Sequence, residues 1–242
     1  MRLRRFFAEG QTCQPLRHEP HARVLANLSA VVDVTTLGGA LHNLVSCGTA
    51  GRGVRSGVRP IDACDLERLD PREHAFVTSA VASRQREFAT GRALLHDILG
   101  DSEPILVSAT RAPSFPPGVV GSLAHDSDVA VAVVERSGRA RAIGVDVEPA
   151  VPLDQALVEI IVRDDDDVDD AHLAFTAKEA AYKAWSAMGG GILDHHDVRV
   201  RFEDGHFVAT VLPAALDLRG TWVTVADRHL AAVVVPADGG PS

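Results

Sequence analysis

Asp146 and Glu148 stand two apart in the run Ile143-Gly144-Val145-Asp146-Val147-Glu148-Pro149. On a β-strand residues i and i+2 share a face, so this spacing sets two carboxylates side by side and turns Val145 and Val147 into a core. Neighbouring carboxylates repel each other unless water or a cation neutralises them. Hard oxygen ligands of this kind suit Mg2+, which takes one or two carboxylates together with phosphate and water. A second acid–base pair lies in Phe175-Thr176-Ala177-Lys178-Glu179-Ala180-Ala181-Tyr182-Lys183-Ala184-Trp185, where Glu179 and Lys183, four apart, share one face of a predicted helix. On a plain helix surface such a pair contributes only about 0.3 to 0.5 kcal/mol. Lysine itself is scarce: of 24 Lys and Arg residues only Lys178 and Lys183 are Lys, and both fall in this segment. A compact ammonium that titrates or reaches a phosphate is not replaced by a planar guanidinium.

Two further segments can handle phosphate. Arg84-Gln85-Arg86-Glu87-Phe88-Ala89-Thr90-Gly91-Arg92 sets Arg84 and Arg92 about two helical turns apart, on roughly one side of a helix. Such arginines can hold phosphate oxygens through bidentate hydrogen bonds. Gly118-Val119-Val120-Gly121-Ser122-Leu123-Ala124-His125-Asp126 is a glycine-rich approach to a strand that carries one histidine. Taken in order, the four segments resemble the pattern of the 4'-phosphopantetheinyl transferases of the surfactin/enterobactin synthetase-activating type. The resemblance rests on REFATGR, GSLAHD, IGVDVEP and FTAKEAAYKAW and spans residues 84–190.

That resemblance implies transfer of the 4'-phosphopantetheine arm of coenzyme A to a serine of an apo acyl or peptidyl carrier protein, with release of adenosine 3',5'-bisphosphate. The carriers such enzymes serve belong to fatty-acid, polyketide, peptide and siderophore synthesis. By motif position, Asp146, Glu148 and Glu179 are expected to hold Mg2+ on the coenzyme A pyrophosphate, and Lys183 to neutralise phosphate charge. Arg84, Arg92 and His125 are expected on the coenzyme A phosphates, His125 near the 3'-phosphate. Asp146, Glu179 and Lys183 form the implied catalytic set. A serine hydroxyl is a poor nucleophile near neutral pH, so a base must take its proton. Glu179, or a metal-bound water that it orients, fills that role. Three departures from the family pattern bear on coenzyme A affinity. Ala124 stands where Ser or Thr often precedes the histidine, Phe115 where Trp is common, and residues 107–111 lack a frequent lysine and glycines. Two rival readings use the same residues: a coenzyme A or carrier-binding module without turnover, and a Mg2+-dependent phosphohydrolase.

The elements that must position these residues are legible from residue 70 onward. Apolar spacing over residues 71–99 predicts two helices or one interrupted helix, with Gly100 as its stop. Residues 129–134 and 142–147 read as strands, and Ser137-Gly138 between them is a hairpin signal. Residues 152–162 and 171–188 read as helices, followed by Gly189-Gly190-Gly191. Alternation then predicts strands over 198–202, 207–211, 221–225 and 230–235, with a turn at Asp204-Gly205. Residues 24–34 suit strand or helix, and residues 48–57 read as a flexible loop. Helices and antiparallel strands in both parts indicate an α+β fold. The resemblance adds two similar α/β-sandwich halves related by pseudo-twofold symmetry, with the site between them. The expected division is residues 1–137, carrying the coenzyme A phosphate segments and an extension over residues 1–60, and residues 138–242, carrying the metal strand and the Lys-Glu helix.

Composition closes off other classes. The chain of 242 residues is 46% hydrophobic and 24% charged, which suits one large domain or two small ones and excludes collagen-like and wholly disordered chains. A formal net charge of -9 argues against a general nucleic-acid binder. No apolar run approaches the roughly 20 residues of a membrane span, and no signal peptide follows the basic start, so a cytoplasmic protein, and a monomer, is expected. Three cysteines (Cys13, Cys47, Cys64), without a CxxC pair, give neither a disulfide framework nor a zinc site. The acidic run over residues 164–170 lacks the Gly and Glu of a calcium loop and reads as solvated. His195-His196-Asp197 lacks a third suitably spaced ligand and reads as surface.

Overall fold

The computed structural model describes residues 32–46, 51–108 and 111–237. Most of the 24–34 stretch, Cys13 and Cys47 lie outside the described residues. The first helix, α1 (Val34–Val45), begins at Asp33, whose carboxylate accepts from the Thr36 amide at 2.9 Å. It buries Leu37, Leu41 and Val45, one stripe at i, i+4 and i+8. Strand β1 (Arg55–Pro60) then occupies the end of the stretch expected to be loop. Its sequence, Arg-Ser-Gly-Val-Arg-Pro, carries almost no apolar alternation, and pairing with a buried strand makes it β.

Helix α2 (Pro71–His74) and helix α3 (Ala82–Leu99) are the two predicted helices, and Gly100 ends α3 in the left-handed conformation at φ 72°. Strand β2 (Val120–His125) follows, then β3 (Val129–Glu135), every residue of which is buried. These strands form an antiparallel sheet in the order β1-β3-β2. Leu94, Leu95, Ile98 and Leu99 of α3 pack on Ala130, Ala132 and Val134 of β3.

The remaining strands are β4 (Ala140–Pro149), β5 (Val198–Glu203), β6 (His206–Val211), β7 (Leu216–Val225) and β8 (Arg228–Pro236). They make a second antiparallel sheet in the order β4-β8-β7-β6-β5. Helix α4 (Gln155–Ile161) and helix α5 (Ala171–Ala187) lie between β4 and β5 in sequence. The predicted hairpin between residues 129–134 and 142–147 does not form. β3 is already hydrogen-bonded by β1 on one side and β2 on the other, so it has no edge to offer β4. Ser137-Gly138 instead carries the chain to the second sheet, with the Gly138 amide donating to Glu135 at 3.1 Å.

The fold is therefore α+β, with a helix on an antiparallel sheet in each part, three strands in one and five in the other. α5 meets its sheet through Ala174, Ala177, Ala180, Ala181 and Ala184, packed with Ala142, Ala231 and Val233. The opposite face of β4, through Ile143, Val145 and Val147, packs with Leu37, Leu41, Val129, Val131 and Val133 and joins the two sheets. No helix among the described residues is long and apolar enough to cross a membrane.

Candidate functional site

The glycine of the Ile143–Glu148 run explains how a helix residue reaches a strand carboxylate. A Cβ at Gly144 would stand 1.9 Å from the Ala180 carbonyl oxygen, so α5 rests directly on β4 at this point. That contact brings Lys183 over Asp146: Nζ lies 2.5 Å from Oδ1 and donates to the Val145 carbonyl at 2.9 Å. As the spacing predicts, Val145 and Val147 face the core while Asp146 and Glu148 share the face toward α5. Asp146 is 5% exposed, and its second oxygen, Oδ2, is buried without a hydrogen-bond partner. Burial pushes its carboxyl up to about 8; Lys183 opposes that, and the charges of Glu148 and Glu179 add to it.

Glu148 has a neighbour that the sequence reading missed. His172, in the first turn of α5, places Nε2 3.7 Å from Glu148 Oε2, while its Nδ1 hydrogen-bonds the Val151 carbonyl at 2.7 Å. Burial pulls the His172 ring down, but Glu148 and the Val151 carbonyl lift it above its ordinary value. The only sequence signal was Asp170, whose carboxylate caps α5 by accepting from the His172 and Leu173 amides and so fixes where that turn begins.

Among the described residues, no group of three or more His, Cys, Asp and Glu side chains is arranged so that it could hold a metal ion. Lys183 lies against one oxygen of Asp146, and Glu148 faces His172. The donor chemistry nevertheless fits Mg2+ brought in with a phosphate. Such an ion needs only one or two protein carboxylates, and the orphaned Asp146 Oδ2 is one ready donor, with the Glu148 and Glu179 charges close enough to disfavour its ionised form.

The phosphate-type residues gather by the same device. A Cβ at Gly91 would stand 2.8 Å from Leu123 Cδ2, so α3 is pressed onto β2. Arg84 Nη1 lies 2.7 Å from His125 Nε2, and Glu87 Oε2 stands 3.4 Å from Arg84 and 3.6 Å from His125. Arg92 is 2% exposed, with its guanidinium 4.4 Å over the Phe88 ring and its Nε without a hydrogen-bond partner. Burial lowers its guanidinium to about 10, against the charge of Glu73 and with the repulsion of Arg84. Ala124, one residue before His125, points into the core between the sheets. Successive strand side chains face opposite ways, so its methyl leaves the Arg84–His125 face unchanged. Ser122, on Ala124's face, accepts from the Val145 amide at 3.0 Å and ties β2 directly to the carboxylate strand.

Lys178 is buried, and so is one side chain from each of two segments expected at the surface, Asp166 and His195, while Asp164, Asp165, Asp167, Asp169, Asp170 and His196 are exposed as expected. Lys178 is fully buried, and its Nζ donates to Asp166 at 2.6 Å and to the Ile161 and His195 carbonyls. Asp166 also accepts from the Arg163 and Val200 amides, so part of the acidic run is a buried anchor rather than a solvated loop. His195 is buried too, and burial with the nearby Lys178 charge lowers its ring to about 4. The two lysines therefore sit differently: Lys183 lies over Asp146, and Lys178 is in the core.

The chain also has relatives among known proteins. Residues 72–135, which include Arg84, Arg92 and His125, match the family described as 4'-phosphopantetheinyl transferase N-terminal domain. The chain is 31% identical over 198 residues to the 4'-phosphopantetheinyl transferase Svp of Streptomyces mobaraensis, covering 71% of this chain and 80% of that protein. It is 31% identical over 193 residues to the 4'-phosphopantetheinyl transferase PptT of Mycobacterium tuberculosis, covering 68% and 85% respectively. With the 4'-phosphopantetheinyl transferase Npt of Nocardia iowensis it shares 30% identity over 149 residues, 56% of this chain and 67% of that one.

Proposed function

The chain belongs to the 4'-phosphopantetheinyl transferase family, and we propose that it moves the 4'-phosphopantetheine arm of coenzyme A onto a serine of an apo acyl or peptidyl carrier protein in a Mg2+-dependent reaction that releases adenosine 3',5'-bisphosphate. The observation that carries this reading is the junction of α5 and β4. There a buried carboxylate with one unpartnered oxygen lies under a lysine and within the field of two more carboxylates.

The two parts of the chain divide the work. Residues 1–137 supply Arg84, Arg92 and His125 for the coenzyme A phosphates. Arg92, desolvated and over the Phe88 ring, keeps a rigid donor fork that needs little reorganisation when an anion arrives. Residues 138–242 would supply Asp146 Oδ2 as a donor to Mg2+, with Glu148 and Glu179 as the further carboxylates that a bound ion would draw on, and Lys183 as a positive charge for the pyrophosphate. A Mg2+ held by these carboxylates would supply a Lewis acid that offsets the charge developing on the pyrophosphate oxygens. Lys183 adds a donor at the same oxygens, and in a site with little water such a donor acts strongly. Glu179, directly or through a water that it orients, takes the proton of the carrier serine.

The test is incubation with an apo carrier protein, coenzyme A and Mg2+, followed by mass spectrometry of the carrier. A mass gain of one phosphopantetheine arm is expected, lost on chelation of the metal. Asp146→Ala and Glu179→Ala are expected to abolish the gain while circular dichroism shows the fold retained. Undiminished transfer in both variants refutes the metal assignment.

A further inference from the structure

The start of β8 touches both parts of the site, and neither the resemblance nor the motifs include it. Arg228 is its first residue and His229 its second, and they face opposite sides of the sheet. His229 lies across the ladder from Glu148, and its ring centroid is 6.0 Å from that of His172. Arg228 turns the other way, toward the turn that follows His125. Its Nε donates to Asp126 Oδ2 at 2.6 Å and its Nη2 to Asp128 Oδ2 at 2.7 Å. The other oxygen of Asp126 accepts from the Asp128 and Val129 amides at 2.7 and 2.8 Å, closing the turn.

The hairpin that presents Arg228 closes through a two-residue turn, Ala226-Asp227. Ala226 and Asp227 both adopt positive φ, 49° and 56°, a region that non-glycine residues seldom occupy. Such a conformation persists only where its surroundings fix it. Here the Asp227 carbonyl accepts from the Ala150 amide, just beyond β4, and Arg228 grips the Asp126 turn. The Arg228 side chain is 11% exposed and that of Asp126 2%, so this charge pair is sheltered from solvent.

We propose that Arg228 is a positioning residue for the transfer reaction: by holding the Asp126 turn against the end of β8, it fixes His125 and Arg84 at a set place relative to Glu148 and Asp146. The proposal rests on the assignment of His125 to coenzyme A phosphate and of the carboxylates to the pyrophosphate. One short strand end then joins a phosphate-binding turn of the first sheet to the carboxylate strand of the second. A ligand that spans both must find them correctly spaced, and loosening the link costs ground-state binding before it costs chemistry.

The experiment compares wild type with Arg228→Met, Arg228→Lys and Asp128→Ala by steady-state kinetics and by amide hydrogen exchange. Arg228→Met is expected to raise KM for coenzyme A about tenfold while kcat stays within about threefold. The Asp128 and Val129 amides are expected to exchange at least about tenfold faster in the free protein. Arg228→Lys, which keeps the charge on a different head, is expected to recover part of the KM. Should Arg228→Met fail to fold, Asp128→Ala, which removes the exposed acceptor of Arg228 Nη2, is expected to raise KM about two- to threefold. An unchanged KM in the folded variant, or a loss confined to kcat, overturns the proposal. Exchange needs no substrate: if wild type transfers no arm, the assigned function fails, and the exchange rates still decide whether Arg228 holds the turn.

Discussion

Lys183 makes two hydrogen bonds from one compact head, in a gap that a larger planar guanidinium would have to enter differently. Its single nitrogen donates to the Val145 carbonyl and to Asp146, both on one strand, from a helix held close by Gly144. A guanidinium is planar, broader and distributes its donors over a fork. Lys183→Arg retains the charge, yet it is expected to lower kcat/KM about 10²-fold, the scale seen when one preorganised donor to a developing oxyanion is lost. Wild-type kcat/KM in that variant would show that charge alone is needed. Lys178, five residues earlier, illustrates the opposite use of the same side chain. It is fully buried, and three acceptors meet its three donors, so it stabilises the junction of α4, the acidic run and the turn at His195 without facing any substrate.

At the level of elements, the site depends on two helices lying unusually close to two strands, each through a glycine. The two contacts differ in what they meet. A methyl at residue 144 would strike the Ala180 carbonyl, which is backbone and cannot turn aside. A methyl at residue 91 would meet the tip of the Leu123 side chain, which can change rotamer. Gly144→Ala is therefore expected to destabilise the protein by about 1–3 kcal/mol, the cost of overpacking, and to remove transfer by lifting α5 off β4. For Gly91→Ala the small strain is opposed by a helix-propensity gain of about 0.8–1 kcal/mol, so stability is expected to change little. Urea denaturation of both variants checks this, and equal losses in the two would contradict the backbone argument.

For the whole molecule, the first part of the chain is tied together by a buried acid–base pair. Glu73, at the end of α2, is fully buried. Its carboxylate accepts from the Ile105 amide at 2.8 Å and from the Asp70 amide at 3.2 Å, and lies 3.0 Å from His96 Nε2 on α3. Burial pushes the Glu73 carboxyl up, but His96 and these amides carry it below its ordinary value of 4.5. Glu73 in turn holds His96 above its ordinary 6.5 against the effect of burial. A raised histidine contributes its stability below pH 6.5 and loses it as pH climbs through the raised value. A lowered glutamate contributes above pH 4.5 and loses it on acidification. The pair is therefore strongest between about pH 4.5 and 6.5. The Tm of wild type is expected to fall from pH 6.5 to 8 through this pair, and His96→Gln to flatten that decline; identical slopes would exclude the pair as its cause.

Local chemistry and periodicity determined much of this protein before any coordinates. The period-2 alternation around Asp146 placed two carboxylates on one face and two valines on the other, and the 3.6-residue period set Glu179 and Lys183 on one helix face, because both follow from backbone geometry alone. The motif order was enough to identify the family. What only the tertiary structure decided is which separate segments meet. β1 is a strand because β3 offers it an edge, although its own residues carry little β pattern. The expected hairpin is absent because β3 had no edge left. Lys178 and His195 are buried, and part of the acidic run is an anchor, because the partners of Lys178, and those of Asp166 other than the Arg163 amide, lie 12 or more residues away along the chain. Arg228 grips Asp126 across 102 residues. Periodicity reports how a segment presents its own faces; long-range pairing and the burial of charge depend on what arrives opposite, and that is fixed only when the sheets close on each other.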